Sequence, residues 1–219
     1  MTPSCRSALP GATGVAPRPH QSALRKARVS LPGHCYFVTT AIVNREPLLA
    51  DASVAKVIVE SLVWLQEQNR IRLMGFVIMP DHLHVAFVLP EESRPEGRSY
   101  ECMPALVGAP FRARPALSSV MDSFKGYTGK TINELLDLHG PVWQAAYHDH
   151  LVRDRKDFET RLSYMHSNPV RKGLVHYEHE YIYSTANPQY ARWIDWAWLD
   201  GISEGPDRAQ KGAPTTEQK

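Results

Sequence analysis

The first 45 residues contain no acidic side chain, no apolar run in the chain reaches the roughly 18 residues that span a bilayer, and the three cysteines include no Cys-x-x-Cys pair. Each absence narrows the reading. An acid-free start carrying Arg6, Arg18, Arg25, Lys26, Arg28 and Arg45 has the composition of an organelle transit peptide, but Pro3, Pro10, Pro17 and Pro19 break the amphipathic helix such a peptide needs. A flexible basic arm is expected instead. There is no apolar core of a secretory signal, and Cys5, Cys35 and Cys102 lie far apart, so reduced thiols in a cytoplasmic protein with no membrane partner are expected. The formal charge of +2 is too small to diagnose a nucleic-acid binder on its own. No internal repeat is visible.

What is present is ordinary globular chemistry, 43% apolar and 22% charged over 219 residues, enough for one domain with a full core. The expected organisation is a flexible arm over 1–27, a folded domain over 28–200 interrupted by a Pro/Gly/Arg-rich insertion at 91–115, and a disordered polar tail over 201–219. Cys35 to Val43 is β-branched and aromatic and predicts a strand. Asp51 predicts an N-cap for a helix through Gln68, with Val54, Ile58, Leu62 and Leu65 as its apolar stripe. Arg70 to Met79 and His82 to Leu89 predict two strands parted by Pro80-Asp81, Ser118 to His139 a helix, Val142 to Val152 a short strand, and Asp154 the cap of a last helix ending at Pro169. That order fits an α+β, ferredoxin-like sandwich, an antiparallel sheet with helices on one face.

The most informative stretch is Phe76-Val77-Ile78-Met79-Pro80-Asp81-His82-Leu83-His84-Val85-Ala86. A strand repeats every two residues, so His82 and His84 share one sheet face, roughly 6 to 7 Å apart at Cα, while Leu83 and Val85 enter the other. Two imidazoles so placed can ligate one metal ion and leave positions for exchangeable oxygen ligands. They can equally be half-buried sheet residues with ordinary hydrogen bonds. On the last helix, Tyr164 and Asn168 are four apart and project together, away from Phe158, Leu162 and Met165. That pair alone reads as a surface tyrosine and a C-capping amide. Together with the histidines it permits a different assembly: a metal on His82 and His84, an oxygen from Asn168, and a phenol that attacks a phosphodiester to form phosphotyrosine.

The residues His82-Leu83-His84 after Val77-Ile78-Met79-Pro80-Asp81, then Leu117 to Gly126, Val142-Trp143-Gln144, His150-Leu151-Val152-Arg153 and Tyr164-Met165-His166-Ser167-Asn168-Pro169-Val170-Arg171-Lys172-Gly173-Leu174-Val175, resemble the REP-associated tyrosine transposases. These are single-tyrosine transposases of the histidine-hydrophobic-histidine endonuclease superfamily. The resemblance covers about Arg28 to Trp198, opening at Leu31-Pro32-Gly33-His34-Cys35-Tyr36-Phe37-Val38-Thr39. It implies a bacterial, ferredoxin-like nuclease that binds single-stranded or hairpin DNA and nicks repetitive palindromic DNA. By position it implies Tyr164 as the nucleophile of a 5′-phosphotyrosine intermediate, His82 and His84 as metal ligands with Asn168 as the third, and Mg²⁺ or Mn²⁺ as cofactor. Two imidazoles would also suit zinc. The segment 91–115 is longer than the family pattern leads one to expect.

Lys125 and Lys130 on the penultimate helix, and His150 with Arg153, are the candidate DNA contacts. His148 and His150 flank Asp149 and pose a rival metal pair. Trp143, Trp193, Trp196 and Trp198 are read as core closure rather than base-stacking residues. A monomer is favoured over a homodimer. Two functional rivals remain: a non-cleaving nucleic-acid-binding regulator on the same fold, and a zinc hydrolase using His82, His84 and a further histidine.

Overall fold

Asp51 decides where the first helix starts. In the computed structural model, which describes residues 30–91 and 116–200, its carboxylate accepts the N–H groups of Ser53 at 2.8 Å and Val54 at 3.3 Å, and helix α1 then runs Ala52–Glu67. Before it comes strand β1, Cys35–Ala41, and after it strands β2, Arg72–Met79, and β3, His82–Val88. Helix α2 spans Leu117–Leu136, strand β4 His148–Leu151 and helix α3 Arg155–Arg171, followed by the short helices α4, Pro188–Ala191, and α5, Trp196–Asp200. The arm expected at 1–27, the insertion beyond Glu91 and the tail at 201–219 lie outside the described residues.

The sheet order is β2-β3-β1-β4, every neighbouring pair antiparallel. This is the split βαβ arrangement of a ferredoxin-like fold, reached because each crossover helix returns the chain one strand beyond its neighbour. The α+β sandwich expected from the element order is therefore present. β3 is central, hydrogen-bonded to β1 on one side and β2 on the other.

Period-two alternation splits β3 between two cores. Leu83, Val85 and Phe87 join Tyr36, Val38, Phe76 and Ile78 beneath α1 and α2. Ala86 and Val88 point the other way, joining Cys35, Met74, Val77 and Met79 against Phe158, Leu162 and Met165 of α3. The two crossover helices thus share one face, and α3, which follows the sheet in sequence, closes the other. Phe158 is fully buried there, so truncating it to alanine costs about 3–5 kcal/mol.

Glycine makes that closure possible. β2 carries a bulge between Leu73 and Gly75, and Gly75 sits at φ +156°, where a Cβ would come within 2.9 Å of both Leu162 Cδ1 and Met165 Cε. Without a side chain at 75, α3 lies directly on the strand. The outer edge of β2 is covered by the returning chain: Ile78 N–H donates to Tyr183 O at 2.9 Å, and Thr185 N–H to Phe76 O at 2.9 Å.

Three local expectations are refined. The last helix continues through Pro169 to Arg171, because a proline this near the C-terminus forfeits a single turn's bond while Lys172 N–H still reaches Asn168 O at 3.0 Å. The strand expected somewhere in Val142 to Val152 is confined to His148–Leu151; Trp143 makes only an isolated bridge to Ile42. Trp143 is buried, Trp193 and Trp198 pack on the two cores, and Trp196 is exposed. Among the described residues no helix is long and apolar enough to cross a membrane.

Candidate active site

His82 and His84 are carried by the central strand on its α3 face. Their Nε2 atoms lie 3.1 Å apart, with the rings perpendicular at 4.7 Å between centroids. Neighbours on both sides fix which nitrogen holds the proton. His82 Nδ1 is 2.5 Å from Asp81 Oδ1, and a carboxylate only accepts, so Nδ1 carries hydrogen and Nε2 a lone pair. His84 Nδ1 is 2.7 Å from the Thr39 hydroxyl, which can take its proton in the same sense. Thr39 is the direct cross-strand partner of His84, so the register of β1 on β3 supplies this contact.

The electrostatics favour a neutral His84. Burial pushes the His84 imidazole down to about 4, and the charges of His82 and Arg45 push the same way. Burial raises the Asp81 carboxyl, but the hydrogen bond and charge of His82 and the salt bridge to Arg45 at 3.2 Å outweigh it and hold Asp81 below the ordinary carboxylate range. A carboxylate-backed imidazole is a more basic ligand than a free one.

From the helix side, α3 lowers Asn168 onto the pair. Its amide nitrogen is 2.8 Å from His84 Nε2 and the residue is 6% exposed. One turn earlier Tyr164 stands at 51% exposure, its ring edge-on to His84 at 6.2 Å between centroids. The four residues read from sequence as the site are therefore brought together, from two elements 80 residues apart in the chain. They meet because Phe158, Leu162 and Met165 seat α3 on the sheet, turning Tyr164 and Asn168 toward the rim where the histidines emerge.

The donor set can be tested against a cation. Two cis ligands each about 2.1 Å from one ion stand about 3 Å apart, close to the observed Nε2 separation. Two lone pairs aimed at one another repel unless a cation lies between them. An amide presents oxygen as readily as nitrogen from the same position, so Asn168 can supply the third donor. Among the described residues no cluster of three or more His, Cys, Asp or Glu exists, so a zinc site completed by a third histidine finds no support there.

The remaining candidates are placed differently. Lys125 and Lys130 lie on α2, beyond the opposite face of the sheet. The Lys125 ammonium donates to the carbonyls of Gln144 at 2.5 Å and Ala145 at 3.2 Å, and Lys130 pairs with Glu134 at 3.7 Å. His150 is bound to Asp157 at 2.7 Å, while the Arg153 N–H donates to the same oxygen at 3.2 Å. His148 is exposed and pairs across the sheet with Thr39, which puts it in the row of His84. His148 and His150 share a face, but His150 is held by the carboxylate at the start of α3. Sequence reading missed Thr39 and Asp81 as supports of the imidazoles. Asp81 adjoins the motif and was visible; Thr39 becomes visible only with the strand register.

The fold is similar to that of a solved REP-associated tyrosine transposase bound to a REP hairpin, with a TM-score of 0.55 and 20% identity, covering 77% of this chain and 86% of that one. In sequence, the chain is 21% identical over 175 residues to the REP-associated tyrosine transposase of Escherichia coli (strain K12), spanning 78% of this chain and 88% of that protein. Both comparisons reach beyond the separated motifs to more than three quarters of the chain. No family model matches the chain.

Proposed function

We propose that the protein is a metal-dependent, tyrosine-mediated single-strand DNA endonuclease and strand-transferase acting on hairpins of repetitive palindromic DNA. The observation that carries this reading is the convergence of an exposed phenol, two imidazole lone pairs and an amide at one rim of the sheet. The hairpin to which the solved relative is bound supports the substrate class.

His82, His84 and Asn168 would hold one Mg²⁺ or Mn²⁺, which when bound withdraws electron density from a phosphate oxygen. The chain's own residues do the rest. Asp81 and Thr39 orient the imidazoles, and α3 presents Tyr164 to a phosphate lying over the histidines. The phenol gives its proton to solvent and its oxygen bonds to phosphorus. The bond from phosphorus to the 3′ oxygen breaks, that oxygen takes a proton from water, and the 5′ side stays on Tyr164 as phosphotyrosine. A 3′ hydroxyl attacking the adduct reverses the exchange, so joining needs no ATP.

All three protein donors are neutral, so a hard cation gains little from them alone and more once an anionic phosphate joins the set. Metal and DNA should therefore tighten one another. The deciding experiment is a denaturing gel of an end-labelled hairpin carrying a single-stranded flank, incubated with the protein and Mg²⁺ or Mn²⁺. A covalent adduct with wild type and none with Tyr164→Phe, at unchanged DNA binding, is expected. Nicking by Tyr164→Phe at the wild-type rate overturns the assignment.

A further inference from the structure

Arg171 follows Tyr164 by seven residues, two turns of α3, and its guanidinium carbon lies 5.0 Å from the centre of the Tyr164 ring. The phenol is thus bracketed, with the His84 ring edge-on on one side and the guanidinium over a face. Arg171 is exposed, and among the described residues it has no carboxylate partner or hydrogen bond competing for it. The other arginines of the helix are committed: Arg155 to Glu159 and Arg161 to Asp157. A helix C-terminus welcomes any cation, and Lys172 already sits there as the C-cap. The distinctive feature of Arg171 is the ring it covers.

We propose that Arg171 is the positioning residue of the nucleophile: it stacks on the face of the Tyr164 ring and holds that ring edge-on to His84. This inference rests on Tyr164 being the nucleophile. A delocalised, weakly hydrated plane suits the task, since it stacks on an aromatic face without neutralising itself against the ring oxygen. The stacking restricts an otherwise exposed side chain at the moment an in-line approach is needed.

The test uses the full chain carrying ¹³Cε-labelled tyrosine, with the Tyr164 resonance assigned from Tyr164→Phe and ring order read from carbon relaxation. Arg171→Met should lower the order of the Tyr164 ring, Arg171→Lys should recover it in part, and Lys172→Met should leave it at the wild-type value. In the adduct assay Arg171→Met should lower the rate several-fold at saturating DNA, with the half-saturating DNA concentration little changed. Equal Tyr164 ring order in wild type and Arg171→Met, or an equal loss of order in Lys172→Met, overturns the role of Arg171. Absence of any adduct from wild-type protein overturns the nuclease reading and this role with it, so the two failures are distinct.

Discussion

Gly75→Ala should loosen the helix that carries Tyr164, the proposed nucleophile, and the structure sets the size of the effect. The residue adopts φ +156°, a conformation that costs an L side chain about 1–3 kcal/mol. The new Cβ would also meet Leu162 Cδ1 and Met165 Cε at 2.9 Å, each the far end of a flexible side chain, so relief by side-chain movement is available at about 1–3 kcal/mol of overpacking. The sum, about 2–6 kcal/mol, lies mostly below the stability of about 5–15 kcal/mol usual for a domain, so the variant should still fold. Leu162 and Met165 are the immediate neighbours, in sequence, of the turn bearing Tyr164, so a shift that relieves the clash displaces the phenol from the imidazoles. A 1 Å displacement is enough to lower the rate about a hundredfold. Urea unfolding measures the first quantity and adduct formation the second. Adding Met165→Ala to Gly75→Ala should recover the share of the overpacking due to Met165 and leave the Leu162 contact and the backbone part, a coupling read from a double-mutant cycle. If Gly75→Ala unfolds within about 0.5 kcal/mol of wild type and forms adduct at the wild-type rate, the docking of α3 described above is wrong.

Other outcomes follow from the site. His82→Ala and His84→Ala should each abolish divalent-dependent cleavage, while Thr39→Val, which removes only the support of His84, should weaken metal affinity about 10- to 100-fold; isothermal titration of Mn²⁺ in the presence of DNA distinguishes the two classes. His84 and His166 are both pushed by burial to about 4, so between about 6.5 and 4 the unfolded chain takes up protons that the folded chain refuses. Stability should be complete above that window and fall by about 1.4 kcal/mol per pH unit for each histidine as the pH drops through it; urea midpoints that stay flat across the window contradict the burial of both rings. A hairpin with a single-stranded flank should out-compete a fully paired duplex of the same sequence, with affinity falling as salt rises; equal or tighter binding to the duplex would favour a double-strand-binding regulator.

The parts legible in the sequence are those governed by local rules. Asp51 and Asp154 each cap a helix where a short acceptor precedes an apolar stripe, and both accept backbone N–H groups in the fold. His82 and His84 share a face because strands repeat every two residues, and Tyr164 and Asn168 because helices nearly repeat every four. What the sequence could not convey depends on partners far away along the chain. Thr39 reaches His84 only through the β1–β3 register, across 45 positions. Lys125 looks like a free cation on a polar helix face, yet two carbonyls of the 144–145 loop take its ammonium. Pro169 reads as a stop because a proline blocks a helix interior, whereas the helix here has less than a turn left to run.

β3 is bonded along both edges, whereas α3 is held to the sheet by the side chains of one face. The site is therefore divided between a part that opens only when the whole domain does and a part that can lift away as a unit. Amide exchange should be slowest around Leu83 and faster along the outer turns of α3. With Tyr164 as the proposed nucleophile, a severed strand would ride on a movable arm while the imidazoles keep their spacing.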